Sequence, residues 1–282
     1  MNERTVFALI GGDELQSALA EKLIRGGYFV LTVGLENAPL SRLAEKTDLA
    51  TAICHSDNIV FPFDPCDTDG AIFAPFSAEK ISLTKEILPY LIQRPVFCGT
   101  NYSVPDFFPR DQLYPYGKEG DFRVGKAILH TEGILRAAIS QSKIALHHSS
   151  CLILGYDLEG EILARALLSL GARVTVVTDS LEQLARAAQS GAVALPFSRL
   201  AHAGQQQLIF RTIPFLLRTF DLERIGEEAI FLDLFPDSPD LSLILSQTIP
   251  YTSCADLWRT TAVSSVGSLI HDVILRMRRS IQ

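Results

Sequence analysis

The sequence predicts an α/β protein made of two doubly wound, parallel-sheet domains with a deep cleft between them. Three observations carry that prediction. A strand–turn–helix–strand pattern opens the chain over 6–33, a second one fills 150–179, and an apolar stripe of helical period runs from Val263 to Met277. The first two patterns are βαβ units, so both halves begin as Rossmann-like domains. The expected division is 1–123 for a substrate-type domain and 124–143 for an interdomain helix. A dinucleotide-type domain follows over 144–258, and 259–282 is a C-terminal helix that crosses back to the first domain.

In chain order, Val6–Ile10 is an apolar run that ends in Gly11-Gly12-Asp13. Leu15, Ala18, Leu19 and Leu23 recur at helical spacing as far as Gly26-Gly27, and Tyr28–Val33 reads as the second strand. Gly11-Gly12-Asp13 reads as a tight turn in preference to a second phosphate loop, because the full glycine fingerprint is absent. Asn58–Phe63 and Val96–Cys98 read as further strands. The C-terminal ends of parallel strands face the ligand crevice, which makes Pro62, Ser77, Gly99 and Asn101 candidates for a substrate cleft. Tyr102–Lys118 is rich in proline and aromatics, has no period, and reads as an ordered surface loop.

Val124–Ser142 reads as a helix with Ile128, Leu135 and Ile139 on one stripe. It contains His130 and Glu132, which are candidates for acid–base work because histidine titrates near neutrality; they also fit a polar helix face. His147-His148 reads as a solvated loop pair. Beyond the central unit, Leu181–Ala188 is helical, and Val193–Leu195, Leu208–Phe210, Ala229–Leu234 and Ile249–Ser253 are strands.

Composition narrows the function. The 282 residues are 48% hydrophobic, with a net charge of −7, and no basic run suggests nucleic acid or an anionic membrane as a partner. Five scattered cysteines without a C-x-x-C pair read as buried thiols in a reducing compartment, not as disulfides or a metal site. No apolar run is long enough for a signal peptide or a membrane span, so a cytoplasmic protein acting on a small molecule is expected, with self-association left open.

The central turn carries the chemistry. Cys151–Leu154 is a strand, and the helix carrying Leu163, Ala166, Leu167 and Leu170 follows. Between them a dinucleotide-binding turn reads G-x-G-x-x-G, whereas this one reads Gly155-Tyr156-Asp157-Leu158-Glu159-Gly160. The expected cofactor contacts are Gly155, Asp157, Leu158, Glu159 and Gly160 at the turn, Asp179 at the end of the next strand, and Arg211, Thr212 and Pro214 after a later one. Asp157 puts a carboxylate where a pyrophosphate would lie. Asp179 suits ribose hydroxyls and repels a 2′-phosphate, so it favours NAD over NADP.

Leu9-Ile10-Gly11-Gly12-Asp13, Thr131-Glu132-Gly133, Leu154-Gly155 through Gly160, Gly171-Ala172-Arg173-Val174, Thr212-Ile213-Pro214, Leu232-Asp233-Leu234 and Gly267 follow one another along the chain. In that order and spacing the sequence resembles the dipicolinate synthase A chain family. The resemblance implies NAD(P)-dependent oxidation of a dihydrodipicolinate-type precursor in a sporulating bacterium, and a flavoprotein-like partner that forms the second subunit. The sequence departs from the family at Asp157 for the central glycine, Asp179 for a basic residue, and Arg211 for asparagine. Pro236–Pro239 replaces a glycine-rich turn, and Asp256–Arg259 with Ser264 replaces a Pro/Gly turn and a lysine. These departures make a non-catalytic scaffold or regulatory relative, with no cofactor in a degenerate site, the alternative to an enzyme.

Overall fold

The computed structural model describes residues 5–91, 93–100, 104–108, 110–214, 217, 221, 229–240, 244 and 249–281. They fall into two compact units, Met1–Lys126 with Val263–Gln282, and Ala127–Ala262.

The first unit follows its sequence pattern closely. β1 (Val6–Ile10) leads into α1 (Glu14–Arg25) and β2 (Phe29–Val33). Asp13 starts α1 by accepting the Leu15 N–H at 3.0 Å, and Gly27, at φ +84, turns the chain out of it. β3 (Ala44–Lys46), α2 (Leu49–His55), β4 (Asn58–Val60), α3 (Leu88–Leu91), β5 (Val96–Cys98) and β6 (Leu113–Pro115) complete the sheet. Every strand pair is parallel, in the order β3-β2-β1-β4-β5-β6. Such a sheet is covered on both faces, which is why Phe7, Ala8, Leu9 and Ile10 are all fully buried despite having no alternation.

The long helix α4 (Gly120–Gln141) begins in the first unit, four residues earlier than its apolar stripe suggests, and continues in the second. There β7 (Ser150–Leu154), α5 (Leu158–Ser169), β8 (Arg173–Val177), α6 (Leu181–Gln189) and β9 (Val193–Leu195) are followed by β10 (Leu208–Arg211), β11 (Ile230–Asp233), β12 (Tyr251–Ser253) and α7 (Leu257–Thr261). The strands are again all parallel, in the order β12-β11-β10-β7-β8-β9. Numbered within its own unit, this is the same order as the first sheet. In both sheets the strand order reverses beside the first strand, and α/β proteins bind ligands at that reversal, outside the carboxyl ends of the strands.

Two expectations need correction. Tyr102–Lys118 is not all loop, because β6 lies within it. The strand is three residues long, too short to show a period, and ends on Pro115 at a sheet edge, where the missing N–H breaks no ladder. The cysteines are not all buried either: Cys54 is exposed on α2, while Cys66, Cys98, Cys151 and Cys254 are buried and free. Burial raises the thiol pKa of all four, to about 11 for Cys66 and about 12 for Cys98 and Cys254, so they are inert as nucleophiles at neutral pH.

The last helix, α8 (Val263–Ile281), buries Val266, Ile270, Val273 and Met277 within the first unit, where it packs along α1. It approaches α1 tightly at Gly267, where a Cβ would stand 2.6 Å from Ala18 Cβ and 2.9 Å from the Ala18 carbonyl carbon. Arg276 anchors the other end on Asp121 at 2.8 Å and Glu119 at 2.7 Å, an exposed network of small energetic weight. Gly267→Ala tests the packing. Alanine gains about 1 kcal/mol of helix propensity, but overpacking costs about 1–3 kcal/mol, and backbone cannot rotate aside. We expect urea unfolding to show a net loss of up to about 2 kcal/mol, whereas a stabilised variant would show that the two helices do not meet so closely.

Candidate functional site

The turn from β7 into α5 lies at the reversal of strand order in the second sheet. Gly155 has φ +108, and a Cβ there would stand 2.6 Å from Ile213 Cγ2 and 2.7 Å from Thr212 Oγ1. A Cβ on Gly160 would stand 2.8 Å from the Gly155 carbonyl oxygen and 2.9 Å from the same Thr212 hydroxyl. Both outer glycines are therefore required by packing, whatever the turn binds. The Thr212 hydroxyl sits beneath them and donates to the Leu154 carbonyl at 3.2 Å.

Asp157 stands in extended backbone as the N-cap of α5, and its Oδ1 accepts the Gly160 N–H at 3.0 Å. The residue is exposed at the surface of its unit. Desolvation of its carboxyl within the turn raises the pKa; the Gly160 N–H and Thr212 oppose that rise, and the charge of Glu159 adds to it. A dinucleotide would need this helix end for its pyrophosphate. The amide is already bonded, and the group bonded to it is an anion. The turn therefore does not fit a pyrophosphate in the usual place. Leu158 and Glu159, half-buried in the first turn of α5, do not reopen it.

The other expected cofactor contacts follow β8 and β10 at the carboxyl edge of the same sheet. Asp179 is exposed just beyond β8, with its Oδ1 accepting the Phe197 N–H at 3.0 Å. Pro214 is exposed beyond Thr212. Arg211 is a correction. Its side chain is 0% exposed and turns into the sheet edge, where Nε and Nη2 meet Asp233 at 2.8 and 2.5 Å and Nη1 meets Asp240 at 2.7 Å. It lies at the same register as Asp233 in the parallel β10–β11 pair. Burial disfavours its charge, but bonds to the two aspartates outweigh burial and hold it ionised. Burial likewise opposes charge on Asp240, and bonds from Ser238, the Leu217 N–H and Arg211 bring its pKa below the usual carboxylate range. The Tyr251 hydroxyl donates to Asp233 at 3.0 Å, and burial and that carboxylate raise its pKa.

The expected pairing of His130 with Glu132 also needs correction. Two residues apart on α4, they point to different faces: Glu132 is exposed and His130 is 2% exposed. The carboxylate beside His130 is Glu159, with Oε1 3.3 Å from Nδ1, while His130 Nε2 lies 2.6 Å from the Cys254 carbonyl. Nδ1 makes no hydrogen bond of good geometry. Buried in this way, His130 joins α4 to α5 through Glu159 and to the loop before α7 through Cys254. His147 and His148 are exposed, with the His147 ring against Gly171 at the end of α5.

In the first unit Pro62 and Gly99 follow the adjacent strands β4 and β5. The Gly11-Gly12 turn is covered, because the Gly12 N–H donates to the Phe73 carbonyl at 2.7 Å and Ile72 stands over Gly11. Pro62 is buried against Gly11, and Gly99 is buried against the Phe63 ring, which leaves no room for a Cβ. The Ser77 hydroxyl donates to the Glu79 carbonyl at 2.7 Å, on the rim of a cavity of about 510 Å³ lined also by Gly34, Glu36 and Asp48. Asn101 lies outside the described residues. Among the described residues no three His, Cys, Asp or Glu side chains are placed to hold a metal ion, and no described helix is long and apolar enough to cross a membrane.

Comparison with known proteins agrees with this architecture. Residues 6–103 match the family model for the N-terminal domain of the dipicolinate synthase A chain. No curated protein sequence matches the chain. The dipicolinate synthase A chain of Bacillus subtilis superposes with a TM-score of 0.86 at 24% identity, over 100% of this chain and 98% of that one. Its counterpart from Bacillus halodurans gives 0.83 at 22% identity, covering 97% of each chain. D-lactate dehydrogenase of Escherichia coli gives 0.54 at 10% identity, over 98% of this chain and 96% of that one. The protein is like the dipicolinate synthase A chain, in sequence over its first domain and in fold along its length, and the fold is related to that of dehydrogenases.

The buried network makes a stability prediction. Arg211→Met leaves two carboxylates facing each other without their cation, and we expect a loss of about 3–5 kcal/mol in urea unfolding. A depressed acid contributes stability that is present above its unfolded pKa, near 4, and lost as pH falls through its folded value. The stability difference between the wild type and Asp240→Asn should therefore be largest at neutral pH and shrink below about pH 4; a difference independent of pH would contradict the pairing.

Proposed function

We propose, for a protein that shares its fold with the dipicolinate synthase A chain, a non-catalytic role: a scaffold or regulatory binding protein whose dinucleotide cradle is closed by its own side chain. One observation carries the reading, the Asp157 Oδ1 bond to the Gly160 N–H at 3.0 Å. The helix end that would receive a pyrophosphate is capped and negatively charged. Arg211, the basic residue beside Thr212, is spent on Asp233 and Asp240 and offers nothing to a phosphate. Fold alone does not license an activity, and the departures from the family cluster on the surface where its cofactor would lie.

The resemblance supports the rest of the setting. The small molecule would be a dihydrodipicolinate-type compound or the dipicolinate made from it, the partner a flavoprotein-like second subunit, and the compartment the cytoplasm of a sporulating bacterium. Ser77, on the rim of the cavity in the first unit, is the expected substrate contact that this reading keeps.

An NAD-dependent oxidoreductase is the second reading, and Asp179 favours it. With Oδ1 on the Phe197 N–H, its other oxygen is available to ribose hydroxyls. This reading requires Asp157 to leave the end of α5.

Nicotinamide fluorescence separates the two. A charge pair near 4 Å is worth about 4 kcal/mol at an effective dielectric of about 20, and screening leaves about 1–2 kcal/mol, roughly a 5- to 30-fold loss of affinity. We expect the wild type to give no response to NADH or NADPH and Asp157→Gly to bind NADH weakly, most visibly at low salt. Glycine is nearly as good an N-cap, at a cost of a few tenths of a kcal/mol, so the variant folds. Micromolar NADH binding by the wild type, unchanged in Asp157→Gly, would select the oxidoreductase.

A further inference from the structure

We infer that α4 is a docking surface for a second copy of this chain, paired antiparallel across its exposed apolar stripe. Within the second unit the helix leaves Ile128 46% and Ile139 57% exposed, with Leu135 half-buried between them. At 100° per residue these three side chains lie within about 40° of one another on the helix, an apolar line with Ile128 and Ile139 open to solvent and Leu135 between them also packed against the core of the unit. Exposed apolar side chains that are grouped and not scattered mark association sites.

The occupant follows from the charges beside the line. Glu132 and Arg136 lie next to it on one flank, both outside the buried core, and neither forms an ion pair among the described residues. A two-fold axis at the level of Ile134, perpendicular to the plane of two antiparallel helices, brings Glu132 of each copy level with Arg136 of the other. That operation keeps the charged flank on the same side of both helices, so two opposite-charge pairs form together. The same register sets Ile128 about 1.5 Å along the axis from the partner's Ile139 and places the two Leu135 side chains about 3 Å apart along it. One register thus satisfies the apolar line and both charge pairs, as an isologous interface requires. A different protein would have to supply this complement; a second copy carries it already.

Sedimentation velocity of the full chain tests this. The wild type should sediment as a dimer at micromolar concentration, and Ile128→Asp with Ile139→Asp as a monomer with an unchanged circular dichroism spectrum. Arg136→Glu should weaken the dimer about tenfold, since both pairs become like-charged. Adding Glu132→Arg to it should restore the affinity by exchanging the signs, and this arm decides the question should the isoleucine variant misfold. A monomeric wild type, a dimer that survives the isoleucine substitutions, or a double reversal no tighter than the single one would overturn the inference.

Discussion

The absence of a side chain at Gly155 and Gly160 sets the geometry of the second domain. Both positions close on one atom, the Thr212 hydroxyl, which a Cβ at either would approach within 3 Å. The strand that begins the sheet and the strand that follows the reversal are locked through this contact, and α5 starts where it does because the turn can lie flat on β10. Asp157 is the one position of the glycine motif outside that constraint. Its neighbour in a dinucleotide complex would be the ligand, so a side chain there disturbs no packing. The fold keeps the glycines that it needs and tolerates the loss of the one that only a pyrophosphate needs.

Beside Thr212, Arg211 fills the carboxyl edge of the same sheet. A guanidinium taken wholly out of water is tolerable only with its charge met, and Asp233, Asp240 and the Phe235 carbonyl meet it. Tyr251 bonds the same Asp233, so the ends of β10, β11 and β12 are joined by one polar cluster. The strand ends that would otherwise frame a ligand are occupied by the protein's own cation and anions. The equivalent edge of the first sheet is closed by different means, with Phe73 and Ile72 laid over Gly11 and Gly12.

The parts of this structure that are legible in the sequence are those with a long period or a run of buried strand residues. β1-α1-β2, β7-α5-β8 and α8 can be read because five or more residues repeat one physical pattern. β3 and β6 are three residues each and carry no period. Proximity in sequence assigns His130 the wrong partner, because it is a poor guide on a helix, and Glu159 reaches His130 only through the packing of α5 on α4. The placement of Arg211 does leave a signal in the sequence. An apolar strand ending in Arg211 and another ending in Asp233 are adjacent strands of equal length, and in parallel register their last residues meet.

The first helices of both domains begin alike, with Asp13 capping α1 and Asp157 capping α5. In each, a carboxylate performs for the helix end what a bound phosphate would perform, satisfying an amide and meeting the positive end of the dipole. The two solutions differ in when they act. A phosphate stabilises the domain only when present, by an amount that grows as the logarithm of its concentration over its dissociation constant, whereas an aspartate cap contributes about 1 kcal/mol without a ligand. The aspartate therefore keeps the helix end satisfied whether or not a ligand is present, and one side chain at a position free of packing is enough to do so. The same freedom explains how a dehydrogenase-type fold accommodates a capped, acidic turn at this place.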